Sequence, residues 1–447
     1  MKRWIETGVG RDIRYGSAAF ALGMPTIPLL IHLPPAYAED LGLGLTATGA
    51  ALFTARLLDV ITDPIIGAVS DRLKSPFGRR KPLIALGAIV GAAGVLLLLN
   101  PSENPGALYL AAWASVLYLG WTLINIPYLA WGADLHTAYD KRARLTGVRE
   151  SFMLAGILFA GVIPAAAAAT GADGMSALST TGWGIVMAGA VVFPLLLLTV
   201  SEPAPRPLQV GDPLLPSIRD LASNGPFNRL LFGWFINSLA NGIPAVLFIL
   251  FMKHVIGANE ITQGLFTLLY FLAGIVGMPL WIWLSRRHSK HRIWCVAMVV
   301  ASVTFAAVPT LETGDIILFG IIVLLTGLCL GAELALPPAM QADVAEYEYF
   351  RKGRDRTGIM FAAWSMSTKL ALAASVGIAF PMLDWLGTPE QGSTEKYDSM
   401  TLALIYAGLP VVLKISVIMV MWNYPLNQSK LAIIQRRLGT TVKDSSD

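Results

Sequence analysis

Charge is what this chain has least of. Lysine, arginine, aspartate and glutamate make up 14% of the 447 residues, against about 25% in an ordinary soluble domain. Hydrophobic residues reach 55% and the mean hydropathy is +0.61. That deficit excludes a soluble globular enzyme and leaves an all-α membrane protein with many spans. Cysteine is almost absent. Cys295 and Cys329 both fall in apolar runs and read as small apolar residues, neither a disulfide nor a metal site. There is no Gly-rich phosphate loop with its lysine, which excludes an ATP-driven pump, and no His/Cys/Glu set has metal-ligand spacing. No enzymatic activity and no resident cofactor are therefore expected. The first residues are polar and the first apolar run is too long for a secretory leader, so no cleaved leader is expected.

What the chain does have is long oily runs. Stretches of about twenty apolar residues, enough to cross a bilayer, recur twelve times between residues 13 and 422. Prolines interrupt several of them (Pro25, Pro28, Pro127, Pro164, Pro244, Pro337, Pro338, Pro381), as in transporter helices that line a cavity. All but five of the 33 basic residues lie at or beside the termini and the even-numbered loops. The exceptions are Arg56, Lys369 and Lys414 within spans, and Lys253 and Lys396 in odd loops. By the positive-inside rule the termini and even loops are cytoplasmic. The pI near 9.0 is thus a topology signal, and no nucleic-acid partner is expected.

The two halves echo each other. Ala133-Asp134-Leu135 followed by Arg142-Ala143-Arg144-Leu145-Thr146-Gly147 closes the fourth span, and Ala342-Asp343-Val344 followed by Arg354-Asp355-Arg356-Thr357-Gly358 closes the tenth. Two six-span halves in the same orientation predict the major facilitator fold, twelve helices in two pseudo-symmetric six-helix bundles. The expected division is 1–200, a Pro-rich cytoplasmic linker over 201–226, and 227–447.

Chemistry concentrates in one stretch, Arg56-Leu57-Leu58-Asp59-Val60-Ile61-Thr62-Asp63-Pro64, inside the run 45–69. Asp59 and Asp63 are four apart and share a helical face, with Arg56 one turn below. An ionised group at mid-bilayer costs roughly 2.5–3.5 kcal/mol on insertion scales, so a pair of acids there needs a cation, a proton or a basic partner. Thr62 and Thr122 offer hydroxyl oxygens to such a cation. Lys369, mid-span, is expected to pair with the acids, whereas Lys414, nearer a span end, reads as a snorkelling lysine. Asp134, Arg149, Glu150, Asp343 and Arg356, near cytoplasmic span ends, are expected to form inner-gate ion pairs. Asn125, Tyr128, Trp364 and Ser365 place polar and aromatic groups within spans and suit a neutral, weakly polar solute.

Asp59-Val-Ile-Thr-Asp63-Pro64 with Gly67, then Phe77-Gly78-Arg79-Arg80-Lys81-Pro82, resembles the signature of the glycoside–pentoside–hexuronide:cation symporters, the melibiose permease family of the major facilitator superfamily. The likeness extends to Tyr15-Gly16, Asn125-Ile126-Pro127-Tyr128, the segment 342–359 and Lys369. It implies Asp59 and Asp63 as carboxylates for a coupling Na+ or H+, with Thr62 and Thr122 assisting. It also implies Lys369 facing that site as a coupling residue, and Arg56 at the floor of a sugar pocket. The galactoside-binding carboxylates of that family align with Gly23 and Asn125, and its stacking tryptophan with Leu129, so the coupling apparatus is kept while the sugar clamp is not. The animal sodium-dependent lysophosphatidylcholine symporters of the same branch share the acid pair and the lysine. The expected function is cation-coupled symport of a sugar- or glycoside-like solute, with an amphiphile carrier or an exporter as alternatives. The expected setting is a bacterial inner membrane, as a monomer.

Overall fold

A computed structural model describes residues 8–101, 105–169, 174–203, 223–386 and 398–438, and contains no strand among them. The described residues form an all-helical fold. In order the helices are α1 (Gly8–Gly16), α2 (Ala18–Gly23), α3 (Leu45–Arg72), α4 (Lys81–Leu99), α5 (Ala107–Leu135), α6 (Tyr139–Ala169) and α7 (Gly174–Thr199). They continue with α8 (Gly225–Phe251), α9 (Glu260–Arg287), α10 (Lys290–Phe305), α11 (Ile316–Lys352), α12 (Thr357–Leu386), α13 (Ser399–Ala403), α14 (Leu409–Met421) and α15 (Gln428–Arg437).

Ten helices among the described residues are long and apolar enough to cross a bilayer. Two of the twelve expected spans fall outside that ten. One is α3, which carries Arg56, Asp59 and Asp63 along its length. The other is the first run, expected to be continuous over 13–35. It breaks instead into α1 and α2, then wide π turns at Pro28–His32 and Ala36–Asp40 around the single turn Leu33–Pro35. Proline is the cause, because it removes the N–H that a regular helix needs. Past Pro28 the ladder takes a wider step, and Leu33 N–H bonds the carbonyl of Pro28 five residues back.

Helix ends follow local chemistry. Asn224 caps α8 by accepting the N–H of Phe227 at 3.0 Å, with Pro226 in the first turn, and Asn259 caps α9 through the N–H of Thr262 at 2.9 Å. Large apolar side chains such as Leu108 (83% exposed), Leu198 (83%) and Ile317 (82%) stand outward. In water they would be an aggregation liability; against lipid chains they are the natural surface.

The chain forms two compact units: residues 1–216 with 345–363 and 435–447, and residues 217–344 with 364–434. The division therefore differs from a simple cut at the linker, because the adjoining ends of α11 and α12 and the end of α15 belong to the first unit. The expected linker lies mostly outside the described residues. The first unit has two apolar cores, one around Tyr37, Leu98 and Leu117 and one around Tyr15, Tyr128 and Trp131. The second unit has a core around Phe251, Phe319 and Tyr406.

Candidate functional site

The site in the first unit starts from α3. Asp59 is 3% exposed and Asp63 fully buried, so the shared face of the two acids turns into protein. The lipid-like face of the same helix falls to Phe53, Leu57 and Ile61. Opposite the acids lies Thr122 of α5. Its hydroxyl oxygen stands 2.9 Å from Oδ1 of Asp59 and 2.9 Å from Oδ1 of Asp63. A threonine hydroxyl has one proton to give, so it donates to only one carboxylate at a time.

Arg56 sits at the rim. Its guanidinium is 3.9 Å from Oδ2 of Asp59, its side chain is 44% exposed, and it lies 4.5 Å over the ring of Tyr118, one helical turn before Thr122. Thr62, on the same helix, donates its hydroxyl proton to the Asp59 carbonyl at 3.0 Å. Among the described residues no group of three or more His, Cys, Asp or Glu side chains gathers to hold a metal. Two carboxylates and a hydroxyl make a small, hard oxygen site.

At the far end of α3 the same unit carries a charge network. Asp71, beyond the apolar run, accepts the backbone N–H of Gly358 at 2.7 Å and of Ile359 at 3.1 Å, at the N-terminus of α12. Helix N-termini attract anions. The approach needs glycine on both sides: a Cβ on Gly358 would stand 2.6 Å from the Gly67 carbonyl oxygen and one on Gly67 2.9 Å from that of Gly358. Burial foremost, with Asp355 next, pushes the Asp71 carboxyl up to about 7.

Arg79 bonds Asp355 at 2.8 Å and Asp134 at 3.3 Å, while Arg80 bonds Asp134 at 2.5 Å and the Ala130 carbonyl at 2.7 Å. Arg142 pairs with Glu346 at 2.7 Å, and Gln435 of α15 donates to both Glu346 and the Thr137 carbonyl. Asp12 is clasped by His136 at 2.6 Å and Arg144 at 2.7 Å. Of the expected gate residues, Asp134 lies in this network and Arg356 is buried at the foot of α12. Arg149 and Glu150 pair with each other on α6. In the second unit, Asp343 pairs with the fully buried Lys290 at 2.7 Å.

Two residues expected in a substrate pocket are packing residues instead. Gly23 of α2 faces α6: a Cβ there would fall 2.1 Å from the Met153 carbonyl oxygen, and one on Gly156 would fall 2.0 Å from that of Phe20. Only bare backbone fits at that crossing. Tyr128 stacks on Tyr15 with ring centroids 4.4 Å apart. Their hydroxyls donate reciprocally to each other's backbone, Tyr128 to the Tyr15 carbonyl at 2.7 Å and Tyr15 to the Tyr128 carbonyl at 2.6 Å. Asn125, one turn past Thr122, and Ser365 are half-buried.

In the second unit Trp364 stacks on Trp234 at 4.4 Å. The Trp234 indole N–H donates to Thr368 at 2.7 Å, next to the half-buried Lys369. Lys414 does not snorkel; it is 7% exposed and bonded to Glu333 at 2.5 Å. Sequence reasoning missed Glu333, Asp71, Asp355 and Trp234. Glu333 carried a signal, since it is an acid inside an apolar run just as Asp59 is.

Comparison with known proteins places this geometry. The family described as MFS/sugar transport protein matches residues 14–428. The chain belongs to that family. The inner membrane symporter YicJ of Escherichia coli is 24% identical over 90% of this chain and 88% of its own length. The human sodium-dependent lysophosphatidylcholine symporter 1 is 23% identical over 85% of this chain and 76% of its own. Among solved structures, the E. coli fucose:proton symporter FucP superposes with a TM-score of 0.68 at 14% identity, covering 93% of this chain and 98% of that one. The proton:xylose symporter XylE superposes with a TM-score of 0.63 at 13% identity, covering 95% and 97%. This member of the MFS/sugar transport family is therefore a multi-pass membrane transporter with the major facilitator fold.

Proposed function

We propose that the chain is a cation-coupled symporter, in which a monovalent cation, sodium first among candidates and a proton second, binds between Asp59, Asp63 and Thr122 and drives uptake of an uncharged organic solute. The observation that carries the reading is the hydroxyl of Thr122 held 2.9 Å from both buried carboxylates. Thr122 brings one proton to two acceptors, and two like charges in a low-dielectric site repel. A cation among the three oxygens would bind to all of them at once, and a proton on one carboxyl would ease the repulsion. Arg56, at the rim, links the acids to the exposed side, so that a solute touching its guanidinium is felt at Asp59. Each positive charge carried inward gains about 2.3 kcal/mol per 100 mV of membrane potential. Linkage then requires that cation and solute tighten each other's binding.

The solute class is read from polar and aromatic groups within each unit. Asn125 and Tyr118 in the first, and the Trp234–Trp364 stack with Ser365 in the second, suit a sugar or glycoside bound by hydrogen bonds and ring faces. The absence of a carboxylate at positions 23 and 125 favours a second reading, an amphiphile, the class named for the human relative. The protein is proposed to lie in a bacterial inner membrane with both termini cytoplasmic, on the side where Asp134 and Asp355 form ion pairs with Arg79.

The test is a sodium titration of the purified chain followed by its melting temperature. Sodium at a hundred times its Kd stabilises by about 2.7 kcal/mol. Glycosides and lysolipids are then titrated with and without sodium, and the true solute class binds more tightly with it. Asp59→Asn and Asp63→Asn should fold and lose the sodium response. Variants that respond like the parent remove the site assignment.

A further inference from the structure

The second unit holds a cavity of about 220 Å³, unrelated to the acid pair of the first. Its lining runs along α11 from Phe319 to Glu333, which at 1.5 Å rise per residue makes it roughly 20 Å long. The walls are mostly apolar and aromatic, with Phe248, Tyr270, Phe305 and Tyr406, and also carry the hydroxyls of Thr267, Ser302 and Thr326. One end is polar. There Glu333 (3% exposed) meets Lys414 (7%) at 2.5 Å. Asn237 and Asn241 donate their amide N–H groups to the other Glu333 oxygen at 3.1 and 2.5 Å. Lys414 also donates to the Asn237 carbonyl oxygen at 3.2 Å.

The charge at that end is balanced, and this decides what fits. A ligand bearing net charge would meet one attractive and one repulsive partner side by side, and would have to shed its water to do so. An ammonium has three N–H donors, of which Lys414 gives two to Glu333 and Asn237. A hydroxyl can accept the third and donate to the Asn241 carbonyl oxygen without opening the ion pair. A long, narrow slot with aromatic walls takes an unbranched chain.

We propose that this slot binds an uncharged amphiphile, an alkyl chain ending in a hydroxylated head, with the head at Glu333 and Lys414 and the chain along Tyr270, Phe305 and Tyr406. The site lies wholly within the second unit and stands whether or not the cation assignment does.

The test uses the full chain in lipid nanodiscs and a hexyl β-glucoside carrying a diazirine in its chain. After irradiation, label should map to slot residues, Tyr270 and Tyr406 foremost, and unlabelled hexyl β-glucoside should protect them. Hexanoate and hexyltrimethylammonium, with the same chain and charged heads, should protect at least about tenfold more weakly. Label found only outside the slot, or equal protection by all three, overturns the proposal. Ala301→Phe, which fills the slot and leaves the ion pair intact, should cut labelling by about tenfold; unchanged labelling also overturns it. The double variant Glu333→Leu/Lys414→Leu should label but no longer discriminate between heads, and retained discrimination counts against the polar end as the recognition element. If neither variant folds, the competition series on the parent decides alone.

Discussion

Two buried charge sites, one in each unit, differ in their arithmetic. In the first unit two carboxylates converge on one hydroxyl, and Arg56 stands 3.9 Å off with its side chain 44% exposed. In the second unit one carboxylate meets one ammonium at 2.5 Å and two amides complete it. The second site is balanced in the resting chain and keeps its charges to itself. The first sets two acids on one hydroxyl, a group of oxygens that a mobile cation can join. Burial alone does not separate them, because Asp59 and Glu333 are both 3% exposed. What separates them is the hydroxyl that two acids share in the first and the ammonium that one acid holds in the second.

The largest effect should come from upsetting the balanced site. Lys414→Met leaves Glu333 buried without its counter-charge, and breaking a buried pair this way costs about 3–5 kcal/mol. The double variant Glu333→Leu/Lys414→Met should recover most of that loss, read as melting temperature in detergent. If Lys414→Met melts like the parent, the second site is not an ion pair in the working protein. Next comes the acid pair of the first unit. Asp63→Asn should weaken sodium binding by at least about 100-fold, since even removal of outer-shell partners costs 10–100-fold, while the fold is kept. A loss of fold comparable to that of Lys414→Met would erase the contrast between the two sites.

Asp71 provides an intermediate case, an acid outside the apolar runs. Its ordinary value of 3.8 is raised to about 7 by burial and by Asp355. The folded chain therefore holds this proton to higher pH than the unfolded chain does. Stability must fall as pH climbs from 3.8 to about 7 and level off above. Asp71→Asn should flatten that slope and, by turning an amide N–H toward the Gly358 and Ile359 donors, cost about 1–3 kcal/mol. A slope unchanged in the variant would assign the titration to another group.

Much of this was legible in the chain. The helical class and the acid face of α3 follow from hydropathy and a four-residue spacing, and Thr122 lies beside that face. What stays hidden depends on rotation and partners that spacing does not carry. Gly23 sits on an apolar run in either reading, and only the crossing with α6, where Gly156 meets the Phe20 carbonyl, shows it to be backbone packing. Tyr128 looks like a pocket aromatic until its ring is found on Tyr15. Lys414 was placed by distance along its span, which says nothing about the partner waiting on α11. Glu333 was the avoidable miss, because the cost of an acid in an oily run applies to it as it does to Asp59.

The smallest effects give the finest comparison, because two hydroxyls on the same helix do different jobs. Thr122→Val and Tyr128→Phe each delete one buried O–H from α5, and each should cost about 0.5–1.5 kcal/mol of stability. Tyr128 gives its proton to the Tyr15 carbonyl at 2.7 Å, a clasp between helices. Its loss should lower the melting temperature and leave the sodium-induced shift unchanged. Thr122 stands between two carboxylates. Without its oxygen a bound cation loses one ligand of three, so the sodium-induced shift should shrink while the sodium-free melting temperature moves no further than in Tyr128→Phe. Equal sodium responses in the two variants would show Thr122 to be a spacer between the acids, and the cation would then be held by the carboxylates alone.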